Sequence, residues 1–265
     1  MLRIEETTMK FGQLVALNGV GFEVNERQIK ALIGPNGAGK TTLFNIISGF
    51  LRPTFGDIFF NNEKITNRKP HQICRLGLAR TYQITRLFRE MTVLENIKAG
   101  CQPWTKSEIF SCGFKTRFCR REAKEIEHRS WDIIHRLGLE ASLDTLAENL
   151  PIGEQKLLEI GRALATSPSL LLLDEPAGGL NEQETEKLAK TIFALRDDLN
   201  MTILLVEHDM NRVMEVADEI VVLNYGRQIA EGPPEDIRKM EEVIVAYLGK
   251  GVSKTRMDTG TSPSR

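Results

Sequence analysis

The stretch Gly34-Pro35-Asn36-Gly37-Ala38-Gly39-Lys40-Thr41-Thr42 constrains what this chain can fold into more than any other. It follows an apolar run over residues 29–33 and opens a helical pattern over residues 43–47. Glycines let the backbone turn and approach a phosphate closely, and successive N–H groups then point into one concavity. With the helix N-terminus behind them, Gly34, Asn36, Gly37, Ala38 and Gly39 form an anion cradle. In that setting Lys40 reaches the β and γ phosphates of a nucleoside triphosphate, Thr41 ligates a bridging magnesium ion through its hydroxyl, and Thr42 reaches the α phosphate. A buried strand feeding such a loop predicts an α/β architecture.

At 265 residues the chain is long enough for one large domain or two smaller ones. Lys and Arg total 35 against 36 Asp and Glu, a formal charge of −1, so no basic field points to a nucleic-acid partner. Cys74, Cys101, Cys112 and Cys119 form no CxxC pair and no zinc-finger spacing with His, which fits a reducing compartment better than a disulfide framework. Residues 1–6 do not read as a signal peptide, and no window approaches about 18 consecutive apolar residues. Any service to a membrane is expected from outside the bilayer.

Alternation at Val20, Phe22 and Val24 predicts a half-buried strand, and residues 29–33 a fully buried one. A strand is expected over residues 57–60, a turn at Asn61-Asn62, a helix over 69–76, a short apolar run over 78–82 and a helix over 92–98. Residues 100–120 show no period and read as a loop with one short helix. Helices are expected over 121–137 and 153–165, so residues 83–150 read as a helical insertion into an α/β domain. Strand–helix alternation follows: strands over 169–173, 202–206 and 220–223, helices over 182–195 and 210–216. A hairpin strand over 228–230 and helices around Ile237 and over 243–248 close the pattern, and the polar tail beyond Gly249 is expected to be mobile.

A phosphate loop of this kind needs a carboxylate at the end of a neighbouring strand, and Leu170-Leu171-Leu172-Leu173-Asp174 supplies it. Asp174 is the expected partner of the metal, and Glu175 the group that accepts a proton from, or orients, an attacking water.

With these motifs in order, residues 3–249 resemble the nucleotide-binding subunit of an ATP-binding cassette (ABC) transporter. Phe11-Gly12 resembles the aromatic loop that stacks on adenine, Gln83 the glutamine that senses metal and water, and His208 the switch histidine that contacts the γ phosphate. Leu150-Pro151-Ile152-Gly153-Glu154 stands where the family signature Leu-Ser-Gly-Gly-Gln is expected; Pro151 removes the serine hydroxyl, and Glu154 places a carboxylate near phosphate. The proline, the phrase Met91-Thr92-Val93-Leu94-Glu95-Asn96, the segment Ala177-Gly178-Gly179-Leu180-Asn181 with Asn181 as the D-loop residue, and the ending Tyr247-Leu248-Gly249 are similar to the branched-chain amino acid uptake subgroup.

The resemblance implies an ABC-type P-loop NTPase: a mainly parallel sheet core, an antiparallel β subdomain and an inserted helical subdomain. The expected division is 1–84 for the β subdomain and first part of the core, 85–160 for the helical subdomain, 161–249 for the second part of the core, and 250–265 for the tail. It implies an ATPase using ATP and Mg2+, with Lys40, Gln83, Glu175 and His208 catalytic, Thr41, Gln83 and Asp174 on the metal, and residues 150–154 acting on the ATP of a partner. The implied partners are a second cassette of the same or a different chain, membrane permeases and a solute-binding protein, at the cytoplasmic face of a membrane. Urea or amide uptake, lipid or lipopolysaccharide export, and a soluble cassette acting on ribosomes or nucleic acid remain alternatives.

Overall fold

The computed structural model describes residues 1–83, 85–102, 117–208 and 210–248, with residues 117–120, 211 and 248 by backbone alone. In chain order the elements are β1 (Leu2–Phe11), β2 (Leu14–Val24), β3 (Ile29–Ile33), α1 (Lys40–Ile47), β4 (Phe55–Phe60), β5 (Glu63–Lys64), α2 (Pro70–Arg75), β6 (Leu78–Arg80) and α3 (Val93–Gly100). They continue with α4 (Arg117–Leu137), α5 (Ile152–Leu164), β7 (Leu170–Asp174), α6 (Glu182–Leu199), β8 (Thr202–Val206), α7 (Met210–Val216), β9 (Glu219–Asn224), β10 (Arg227–Gly232), α8 (Pro234–Ile237) and α9 (Glu241–Leu248). The chain divides into two compact units, residues 1–67 with those from 205 onward, and residues 68–204.

In the first unit β1 lies between β2 and β4 in an antiparallel sheet of order β2-β1-β4-β5, with Leu2 opposite both Val24 and Phe60. Strand β1 is an addition to the sequence-based expectation: a register shift between Ile4 and Thr7 breaks its apolar alternation. Strand β3 runs parallel to β9, Ile33 opposite Val222, and β9 turns back antiparallel into β10. Tyr225 and Gly226 both have positive φ there, as a two-residue hairpin turn requires. Lys30, the one charged residue of β3, is buried, and its ammonium is held by the Glu23 carbonyl and the carboxylates of Glu219 and Glu231. A buried ammonium is tolerated because it is paired and hydrogen-bonded.

In the second unit β6 runs parallel to β7, Leu78 opposite Leu170, and α3, α4 and α5 pack on one another. Gly161 permits that approach, since a Cβ there would stand 2.7 Å from Leu137 Cδ1 and 3.3 Å from Ile133 and Ile97. Helix α4 begins at Arg117, so the end of the stretch expected as loop is helical. Residues 103–116 and the tail from 249, where a loop and a mobile segment were expected, lie outside the described residues. Helix α6 runs on to Leu199 and stops where Asn200 adopts a left-handed conformation. Among the described residues no helix is long and apolar enough to cross a membrane.

Asn96 anchors the start of α3. It is fully buried, accepts a hydrogen bond from Phe88 N at 3.0 Å and donates to the carbonyls of Phe88, Met91 and Thr92. Asn96→Ala strands these buried backbone groups, and a loss of about 2–4 kcal/mol is expected. Urea denaturation is the measurement; an unchanged midpoint would show that the network carries no stability.

Candidate functional site

In the first unit, β3 ends at Ile33 and the chain enters residues 34–39. Gly34, Gly37 and Gly39 take φ of 148°, 80° and 106°. A Cβ on Gly34 would lie 2.1 Å from the Leu223 carbonyl oxygen, and one on Gly39 2.7 Å from that of Ala16, whereas one on Gly37 would meet open space. The loop is thus pressed against protein at both ends and open in the middle. Four of its carbonyls have partners: Gly34 O and Pro35 O accept from Lys40 Nζ at 2.6 and 3.1 Å, Ala38 O from Gly226 N, and Gly39 O from Leu43 N. Helix α1 has no side-chain cap and no acid in its first turn, so its N-terminal dipole faces no competing carboxylate of its own. Thr41 is exposed and Thr42 half-buried.

In the same unit Phe11 ends β1 with an exposed side chain. His208 follows β8, is exposed, and has Nδ1 4.0 Å from the buried Glu207 carboxylate. Tyr247 of α9 lies beside the Gly34 backbone; burial pushes its phenol up to about 12, while that backbone pulls the other way. Among the described residues its hydroxyl makes no hydrogen bond of normal geometry.

In the second unit, Asp174 at the end of β7 is buried and meets Arg80 from the end of β6, Nη2 to Oδ2 at 2.9 Å. The parallel pairing of the strands sets the contact. Next in the chain Glu175 takes φ of 48°, a left-handed conformation for a residue with a side chain. Its Oε2 accepts from Gln83 Nε2 at 2.8 Å, so two residues singled out in the sequence meet directly.

Residues flanking Gln83 are held by α5. Glu159, 3% exposed, accepts from Tyr82 N at 3.1 Å and Arg86 N at 3.3 Å through one oxygen. Burial pushes its carboxyl up, against the pull of those two amides and of Lys156 and Arg162. Lys156 Nζ donates to Gln83 O at 3.2 Å. The Arg80 and Arg86 guanidinium groups stand over the Tyr82 ring, 5.2 and 4.5 Å from its centre.

Leu150 is buried, while Pro151 and Ile152 stand exposed at the start of α5, where Pro151 occupies the N-cap without a side-chain cap bond. Glu154, placed by the sequence near phosphate, accepts from Ser142 Oγ at 2.6 Å. A Cβ on Gly153 would lie 2.7 Å from Glu184 Oε1. Asn181 caps α6 in a reciprocal box with Glu184, each accepting the other's backbone N–H at 3.0 Å. Arg80, Lys156 and Glu159 were not among the sequence candidates. The available signal was a charge inside a short apolar strand and charges on either side of Leu157 and Leu158 in the helical stretch.

Comparison with known proteins places these features in context. A family model described as ABC transporter matches residues 17–178, and one described as branched-chain amino acid ATP-binding cassette transporter matches residues 227–253. The chain is 46% identical over 250 residues to a Salmonella typhimurium protein named high-affinity branched-chain amino acid transport ATP-binding protein LivG, covering 94% of this chain and 98% of that one. It is 43% identical over 250 residues to the Pseudomonas aeruginosa protein of the same description named BraF, with the same coverage of 94% and 98%. A solved nucleotide-free ATP-binding cassette from an ABC transporter superposes with a TM-score of 0.82 at 33% identity, over 94% of this chain and 99% of that one.

The buried Arg80–Asp174 pair has a direct test. Removing one partner leaves the other charge buried, so Arg80→Leu is expected to cost about 3–5 kcal/mol in urea denaturation. Arg80→Leu combined with Asp174→Leu is expected to regain most of it; equal loss in the single and double variants would contradict the pairing.

Proposed function

The chain belongs to the ATP-binding cassette family of ABC transporters, and on that premise we propose that it energises uptake of branched-chain amino acids through membrane permease partners. The observation that carries this reading is the end-to-end likeness to the relatives named as branched-chain amino acid transport ATP-binding proteins. The site residues support it chemically. A loop with three glycines at positive φ, open in its middle, fits a triphosphate, with Lys40 leaving the Gly34 and Pro35 carbonyls for the β and γ phosphates. Phe11 stacks on the base, and Thr42 binds the α phosphate.

The oxygens of Thr41, Asp174 and Gln83 suit a hard dication, and these residues would hold Mg2+. When bound, the ion supplies neutralisation of phosphate charge. Glu175 takes a proton from the water that attacks the terminal phosphoryl group, and Gln83, already hydrogen-bonded to Glu175, orients that carboxylate. His208 contacts the γ phosphate. Residues Leu150, Pro151, Ile152, Gly153 and Glu154 present the N-terminus of α5 to the ATP of a second cassette, of the same or a different chain, and Asn181 shapes the adjoining segment. The complex sits at the cytoplasmic face of a membrane, and a solute-binding protein delivers the amino acid.

Glu175→Gln is expected to keep ATP affinity and lose about 10²-fold or more in turnover; normal hydrolysis by the purified variant in its membrane complex would remove Glu175 from that role. Lys40→Ala is expected to abolish ATP-dependent accumulation of radiolabelled leucine, isoleucine and valine in membrane vesicles carrying the complex. Absence of such accumulation with the unaltered chain would overturn the assigned cargo.

A further inference from the structure

Segments on the two sides of Gln83 are anchored to different elements of the second unit. On one side Thr81 N donates to Leu172 O at 2.9 Å and Arg80 holds Asp174, so the chain up to Thr81 belongs with β7. On the other, Tyr82 and Arg86 donate their N–H groups to Glu159, and the Gln83 carbonyl accepts from Lys156, so Tyr82, Gln83 and Arg86 are tied to α5. Lys156 and Glu159 are three residues apart and therefore share a helix face. Both are buried, at 7% and 3% exposure, where a charge is retained only with good partners. One turn further along, the Arg162 guanidinium stacks on Phe88 at 5.2 Å. The Gln83 side chain then reaches back across the division to Glu175, which directly follows β7.

We propose that Glu159, with Lys156, is a positioning residue that makes the Gln83 backbone follow α5, so that the placement of α5 against β7 sets whether Gln83 holds Glu175. Helix α5 opens with the segment assigned above to a partner's nucleotide. The strap therefore links engagement of that nucleotide to the carboxylate serving the chain's own. This inference rests on the roles given to Gln83 and Glu175 under the proposed function.

The test compares Glu159→Ala, which removes the acceptor, with Glu159→Gln, which keeps an oxygen in place. Hydrogen exchange of the Tyr82 and Arg86 amides is expected to quicken about tenfold or more in Glu159→Ala and to stay near that of the unaltered chain in Glu159→Gln. In the membrane complex, Glu159→Ala is expected to lower kcat about tenfold with KM for ATP unchanged. It is also expected to lower the ratio of permease-stimulated to free-cassette turnover by about threefold or more, a ratio that a misfolded fraction does not alter. Glu159→Gln restores both. Unchanged exchange, an unchanged ratio, or equal loss in the two variants overturns the proposal. Should Glu159→Ala yield no folded protein, Lys156→Met, which removes the bond to the Gln83 carbonyl, is read by the same ratio and decides in the same way. If the unaltered chain hydrolyses no ATP, the proposed function fails, while the exchange measurement still decides whether the strap exists.

Discussion

A loop that binds phosphate through backbone amides works only if its carbonyls are kept away from the anion, and the first unit is arranged around that requirement. The carbonyls of Ala38 and Gly39 accept from the turn after β9 and the first turn of α1, and those of Gly34 and Pro35 are held by Lys40. The close approach of Gly34 to Leu223, and of Gly39 to Ala16, pins the two ends. Strand β3 is pinned in turn through Lys30 to Glu219 on the neighbouring β9 and to Glu231 on β10, the strand beyond it. Its register against β9 thus has ionic as well as backbone definition. Sheet, hairpin turn and loop form one assembly that holds the two ends of the glycine loop in place.

The second unit solves a different problem, that of keeping charges in places from which water is largely excluded. Asp174 with Arg80, and Glu159 with two backbone amides, are both buried carboxylates whose charge is answered at short range. Such arrangements add little net stability compared with apolar packing, but breaking one costs much. Their value lies in direction: each fixes a segment adjoining a residue of the candidate site. Glu154, where the chain departs from the family signature, accepts a hydrogen bond from Ser142 within the same unit.

Patterns confined to a few adjacent residues were legible in the sequence. The glycine loop needed only local rules, as did the all-leucine strand ending in Asp174. Strand β8 and helix α7 keep the expected bounds because apolar runs and turn residues delimit them. What depended on a distant partner was not legible. Strand β1 was hidden because the irregularity around Glu6, at φ 45°, shifts its register. The start of α4 was hidden by its Arg-rich first residues, which carry no apolar period. Glu159 sits in a stretch whose apolar positions predict a helix correctly; that its own carboxylate is inside follows only from where Tyr82 and Arg86 lie. Arg80 has the same character, since a charge in a short apolar strand has no meaning until β7 is beside it.

Glu175 is a place where folding and chemistry want different residues. Its backbone sits in the left-handed region, where any side chain is disfavoured and glycine is at ease. Judged by thermal resistance alone, a search for hardier versions of this chain would drift toward glycine there, and each step would look like an improvement. On the role proposed above for Glu175, the carboxylate persists against that drift only under selection for turnover, so thermostability screens run without an activity readout would enrich for cassettes that are robust and inert.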